Sequence, residues 1–226
     1  MKLCVLYSGG KDSTLALLKA KEFHDVVCLV TLASSNKESF MFHTPNIDLT
    51  SLQAEAMNLP LIRVETMGEK EKELADLKKA LELAKQKHKI EGVVTGAILS
   101  TYQASRVQQV CHDLRLWCFN PLWLMNQETL LIQIVKSKIL AIISGVFAEP
   151  LDETFLGQRL DTRLAKKLVA IGKSHKINPA GEGGEIETTV LDAPCFKKKI
   201  AVKKSKINYA NHSGIFSIID AELVEK

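Results

Sequence analysis

Two short stretches of this 226-residue chain carry residue types that can do chemistry. The first is Ser8-Gly9-Gly10-Lys11-Asp12-Ser13. Adjacent glycines let a backbone turn tightly and bring its N–H groups against a ligand. A helix beginning there adds unpaired N–H groups and the positive end of its dipole. Ser8 and Ser13 add hydroxyl donors, and Lys11 adds a positive charge. Together these favour a phosphate or pyrophosphate. Asp12 is an anion in an anion site, so it either caps the helix or holds a Mg²⁺ that travels with the phosphates. The spacing is neither G-x-x-x-x-G-K-[ST] nor G-x-G-x-x-G. The second stretch, Asn178 to Thr188, sets Glu182, Glu185 and Glu187 around Gly183 and Gly184. Three carboxylates in so short a loop suit a cationic group or a proton acceptor, or else decorate a solvated hairpin.

The elements that must position these loops follow from hydropathy. Leu3–Tyr7, Asp25–Ala33, Leu61–Val64, Gly92–Thr95 and Leu116–Phe119 read as strands. Ser13–Ala20, Ile47–Met57, 69–89 and Thr101–Leu114 read as helices, the third with an apolar stripe at Leu74, Leu77, Leu81, Ala84 and His88. Strands that are apolar throughout belong to a sheet covered on both faces. Their alternation with helices predicts an α/β fold with a parallel, doubly wound sheet. In such a sheet ligands sit outside the carboxyl ends of the strands. Ser34–Thr44 reads as a polar loop carrying His43. After Pro121 the pattern changes to helices at Glu128–Ser137 and Asp161–Lys173 and strands at Ile139–Phe147, Ile186–Leu191, Lys198–Val202, Ile207–Ala210 and Ile215–Val224. The expected division is therefore 1–120, a nucleotide-binding unit, and 121–226, a smaller α+β unit for the substrate.

The longer motifs resemble a known family. Ser8 to Ser13 is similar to the SGGxDS signature of the N-type ATP pyrophosphatases, the PP-loop enzymes, which adenylate a substrate and release pyrophosphate. That resemblance implies a nucleotide α-hydrolase (HUP, Rossmann-like) fold. Glu91 to Ile98 with Tyr102, Gln103 and Arg106, then Asn120-Pro121-Leu122-Trp123, then Asn178 to Thr188 with Leu191 to Pro194, resemble the diphthine–ammonia ligase family. One departure is Ile186, where an aromatic residue is expected in much of that family.

The resemblance implies an ATP-dependent, amide-forming ligase. It would adenylate the carboxylate of diphthine on elongation factor 2 and amidate it with ammonium, releasing AMP and pyrophosphate. ATP would meet Ser8, Gly9, Gly10, Lys11, Asp12, Ser13, His43, Gly96 and Arg106, with Mg²⁺ on Asp12. Substrate would meet Gln103, Glu182, Gly183, Gly184, Glu185, Glu187 and Thr188. Lys11, Asp12, Glu182 and Glu185 are the expected catalytic groups. The competing readings are a tRNA-modifying PP-loop enzyme, action on another small carboxylate, and a non-catalytic nucleotide-binding module.

Composition restricts the classes further. Residues 194–226 hold seven lysines and three acidic residues, so the net charge of +4 sits in that tail and the rest of the chain is neutral. A chain-wide surface for nucleic acid is not indicated, and no DNA partner is expected. The longest apolar run, Ile139–Ala148, contains Ser144 and Gly145 and is too short for a membrane span, so no membrane partner is expected. The polar glycine loop stands where a signal peptide would carry its apolar stretch. The five cysteines are odd in number and lack C-x-x-C spacing, as in a reduced cytoplasmic chain. Oligomeric state is open, a homodimer included. Six of the tail lysines lie between Lys197 and Lys206, where they read as guards of strand edges or as a docking strip.

Overall fold

The computed structural model describes residues 1–34, 45–67 and 72–226. His43, most of the expected 34–44 loop and the first turn of the expected 69–89 helix lie outside the described residues.

In chain order the first half is β1 (Lys2–Leu6), α1 (Lys11–Lys21), β2 (Asp25–Ser34), α2 (Thr50–Met57), β3 (Leu61–Thr66), α3 (Lys72–His88), β4 (Gly92–Val94), α4 (Thr101–Asp113) and β5 (Trp117–Phe119). The five strands are parallel and ordered β3-β2-β1-β4-β5. Side chains alternate across each strand, so one strand feeds two cores. Leu3 and Val5 enter a core with Leu15 and Leu17 of α1, while Cys4 enters the core of Leu77, Leu81, Val107 and Val110 under α3 and α4. This is why β1 and β2 carry almost no polar residues. The expected stripe on α3 is buried at Leu77, Leu81 and Ala84. The expected helix over 47–57 opens as a 3-10 turn at Ile47–Leu49 before α2 begins.

The second half is α5 (Gln127–Lys136), β6 (Leu140–Val146), α6 (Thr162–His175), β7 (Ile186–Asp192), β8 (Lys199–Ala210) and β9 (Ser213–Val224). These strands form an antiparallel sheet ordered β7-β6-β9-β8. The two strands expected at Lys198–Val202 and Ile207–Ala210 are one continuous strand. The lysine-rich middle stays paired with β9, as in Lys204 opposite Asp220 and Lys206 opposite Ser217, with register shifts on either side of Lys204. A strand at a sheet edge keeps its long polar side chains in water, so a charge run there does not break it. Lys203 meets Glu222 at 2.6 Å and Lys198 meets Glu225 at 3.1 Å.

The two halves share a core. Leu122, Leu130, Ile134, Ile143 and Val190 pack in the same cluster as Leu3, Val5 and Leu17. Asn46, in a left-handed turn at φ 61°, ties them further. Its amide donates to Thr189 Oγ1 at 3.1 Å and to the Phe216 carbonyl at 3.0 Å, and its oxygen accepts from Ile218 N at 2.8 Å. Among the described residues all five cysteines are free thiols, and no helix is long and apolar enough to cross a membrane.

Candidate active site

The parallel sheet reverses its winding between β1 and β4, and the crevice at their carboxyl ends is where such folds take ligands. Ser8–Gly10 leaves β1 there, and Thr95–Gly96 leaves β4 beside it. A Cβ on Gly96 would sit 2.9 Å from Ser13 N and 3.0 Å from the Asp12 carbonyl carbon. Glycine at 96 is therefore what lets the β4 loop lie against the first turn of α1.

The glycine loop is fixed from within and from across the molecule. Ser8 Oγ and Ser13 Oγ are 3.2 Å apart, and the hydroxyls of Ser13 and Thr14 both donate to the Gly10 carbonyl. The free edge of β7 runs along the same loop. Val190 N donates to the Gly9 carbonyl at 2.9 Å, and Lys11 N donates to Thr188 Oγ1 at 3.1 Å. Gln53, fully buried on α2, places its amide between the two. Nε2 donates to the Gly9 carbonyl at 3.0 Å and to the Val190 carbonyl at 2.7 Å. The first N–H groups of a helix have no partner inside it. With Lys11 N taken by Thr188, those of Asp12 and Ser13 remain to face an anion, at the positive end of the dipole.

Asp12 does not cap α1. The N-cap is Gly10, with no side-chain cap bond. Asp12 Oδ2 instead accepts from the buried Lys11 Nζ at 2.9 Å, and Asp12 Oδ1 is buried with no hydrogen-bond partner among the described residues. A buried carboxylate oxygen without a donor is a ready ligand for a cation. Among the described residues no three His, Cys, Asp or Glu side chains are placed to hold a metal together. A magnesium ion here would therefore rest on Asp12 with oxygens from phosphate and water, the usual arrangement for that ion.

The three loop glutamates take different positions. Glu182 Oε1 accepts from Leu99 N at 2.8 Å and Ser100 N at 2.9 Å, joining the glutamate loop to the entry of α4. Burial pushes its carboxyl up; the two backbone N–H groups pull it down, and Asp12 pushes it up further. Glu185 turns into its own loop, where Oε1 accepts from Asn178 N and Nδ2 and Oε2 accepts from Gly183 N. It holds the turn in which Gly181 and Gly184 take φ of 82° and 84°. Glu187 lies within reach of the charges of Lys11 and Asp12, and burial pushes its carboxyl up to about 7, with Lys11 opposing and Asp12 adding to the shift. Lys11 and Asp12 thus act on both Glu182 and Glu187.

The remaining expected positions are placed as follows. Gly183 closes on Glu185 and Asn178. Thr188 is buried against the glycine loop. Gln103 N donates to Ser100 Oγ in the α4 cap. Arg106 stacks its guanidinium 3.9 Å from the Tyr102 ring centroid, one turn further along α4. Gln53 and Asn46 were not read from the sequence as site residues. Their signal is a polar residue on an otherwise apolar face: Gln53 stands beside the buried Ala54, Ala56 and Met57.

A glycine loop opening a helix at the switch point of a five-stranded parallel sheet defines a Rossmann-like α/β protein. A diphthamide synthase N-terminal domain matches residues 1–117 and a diphthamide synthase C-terminal domain matches residues 126–224. The diphthine–ammonia ligases of Bos taurus and Homo sapiens are each 38% identical to this chain over 227 residues, covering 92% of it and 85% of each relative. That of Schizosaccharomyces pombe is 37% identical over 224 residues, covering 92% of this chain and 37% of that one. The chain belongs to the diphthine–ammonia ligase family.

Proposed function

We infer that this protein is an ATP-dependent ligase that converts the carboxylate of diphthine on elongation factor 2 to an amide with ammonia. One observation carries the chemistry beyond family membership. The free edge of β7, which leads out of the glutamate loop, is hydrogen-bonded to the glycine loop through Val190 and Thr188. A phosphate-gripping loop and a cation-binding loop then open on one cleft, as joining ATP to a carboxylate and an ammonium-bearing substrate requires.

In the first step a diphthine carboxylate oxygen bonds to the α-phosphorus of ATP, the bond to the β-phosphate oxygen breaks, and pyrophosphate leaves. In the second, ammonia nitrogen bonds to the acyl carbon, the bond to AMP breaks, and a proton is lost. Attack at phosphorus asks the protein mainly for positioning and charge stabilisation. The N–H groups of Asp12 and Ser13, the Ser8 hydroxyl and Lys11 would stabilise the departing pyrophosphate. Magnesium on Asp12 would neutralise charge on those phosphates. Glu182 sets the entry to α4 through Leu99 and Ser100, and so fixes the glutamate loop against the nucleotide half. No side chain is needed as a covalent nucleophile.

The test is incubation with ATP, ammonium and elongation factor 2 bearing diphthine, with mass spectrometry of the factor and separation of nucleotides. Amidated factor with equimolar AMP and pyrophosphate is expected. ADP in place of AMP, or an unmodified factor, overturns the reading.

A further inference from the structure

Gly145 of β6 stands opposite Glu187 of β7, next to a register irregularity between Ile143 and Gly145. Where a Cβ on Gly145 would lie, two other groups approach: the Phe147 ring, with Cε2 at 2.6 Å and Cζ at 2.7 Å, and the Glu187 Cβ at 3.1 Å. An aromatic ring therefore lies across the bare backbone of Gly145, flanking the same point as the base of the Glu187 side chain. The ring is held there by its own backbone, since Phe147 N donates to the Glu185 carbonyl at 2.9 Å. Phe147 is 37% exposed, so part of a large apolar ring beside Glu187 is open to solvent.

Glu187 beside it accepts no hydrogen bond among the described residues. The ammonium that faces it, Lys11, has its Nζ on Asp12 Oδ2 at 2.9 Å. A carboxylate that holds no donor offers a cation its charge, and the aromatic ring beside it offers a second, apolar surface. A cation with no N–H to donate is held by that pairing of charge and ring. Resting on the reading of diphthine as substrate, we propose that Phe147 and Glu187 form the subsite for the quaternary ammonium of that residue. Glu182, already accepting two backbone N–H groups, is no part of it.

This assignment also accounts for Ile186. Its side chain is 2% exposed and lies against Gly181, where a Gly181 Cβ would come within 2.6 Å of Ile186 Cγ1. Position 186 therefore points into the loop packing, and an aromatic residue there would not supply the ring that the cleft uses. Phe147, from the neighbouring strand, does.

The test compares Phe147→Leu, Phe147→Trp and Glu187→Gln with the unaltered protein in steady-state amidation of elongation factor 2 bearing diphthine. Tetramethylammonium and its neutral isostere neopentane derivatives serve as competitors. Phe147→Leu should raise KM for the factor about tenfold and leave KM for ATP unchanged, and Phe147→Trp should restore it. Tetramethylammonium should inhibit competitively against the factor, more strongly than a neutral neopentyl alcohol, and this preference should vanish in Phe147→Leu and Glu187→Gln. Unchanged KM in a folded Phe147→Leu protein, or a parallel rise in KM for ATP, overturns the subsite. An unaltered protein that amidates nothing overturns instead the reading beneath it, so the two failures are distinguishable.

Discussion

Glu187→Gln should make the folded protein more stable at alkaline pH while impairing substrate binding. Burial raises the Glu187 carboxyl from 4.5 to about 7. A raised carboxyl means that the folded state disfavours the charged form. The neutral acid's stability is fully present below pH 4.5, is lost as pH rises toward 7, and stays lost above it. Each pKa unit is about 1.4 kcal/mol, so the charged carboxylate costs on the order of 3 kcal/mol at pH 8. Lys11 and Asp12 face the same carboxyl with opposing signs, and Glu182 lies in the same group of charges. Glutamine has nearly the same shape and no charge, so its introduction should recover most of that cost. The assay is urea unfolding of both proteins at pH 5 and pH 8, read as a difference so that other titrating groups cancel. The two should differ little at pH 5, and the variant should be more stable by about 2–3 kcal/mol at pH 8. A variant that is less stable than the parent at pH 8, or a difference that does not change with pH, would refute the reasoning. A group kept at such a cost fits a role in which an incoming cation restores its balance.

Three further outcomes follow from the same geometry. Asp12→Ala should abolish AMP and pyrophosphate formation in a protein that keeps its circular dichroism but melts lower, because the buried Lys11 loses its partner; full turnover would remove Asp12 from the reaction. Gly96→Ala should press on the backbone of Asp12 and Ser13, costing about 1–3 kcal/mol of stability and on the order of a hundredfold in kcat/KM for ATP. Gly184→Ala meets nothing within 4 Å and pays only for its positive φ, about 1–2 kcal/mol, so it is the matching control. Glu182→Ala should strip the Leu99 and Ser100 N–H groups of their acceptor and destabilise by about 1–3 kcal/mol, whereas Glu182→Gln keeps one oxygen and should lose little stability in denaturant titration.

Much of the architecture was legible because local chemistry dictates it. Strands apolar on both faces announced a covered parallel sheet, and adjacent glycines between a strand and a helix announced the anion loop. The unbroken β8 was not legible. Lys203–Lys206 reads as a solvated break until its partner strand is known, and edge position is a property of the sheet rather than of the segment.

The site divides in the same way. Sequence alone determined which residues are chemical: Ser8 to Ser13 and the three glutamates, by type and spacing. Only the tertiary structure decided what each faces. Glu182, Glu185 and Glu187 are equivalent in a string of letters, yet one anchors α4, one closes its own turn and one is buried under the charges of Lys11 and Asp12. Gln53 and Phe147 enter the site from elements about 40 residues after the glycine loop and about 40 before the glutamate loop. The reason is range. Turn and helix preferences act over a few residues, whereas burial, pairing and charge act between groups that only the packing of two sheets brings together.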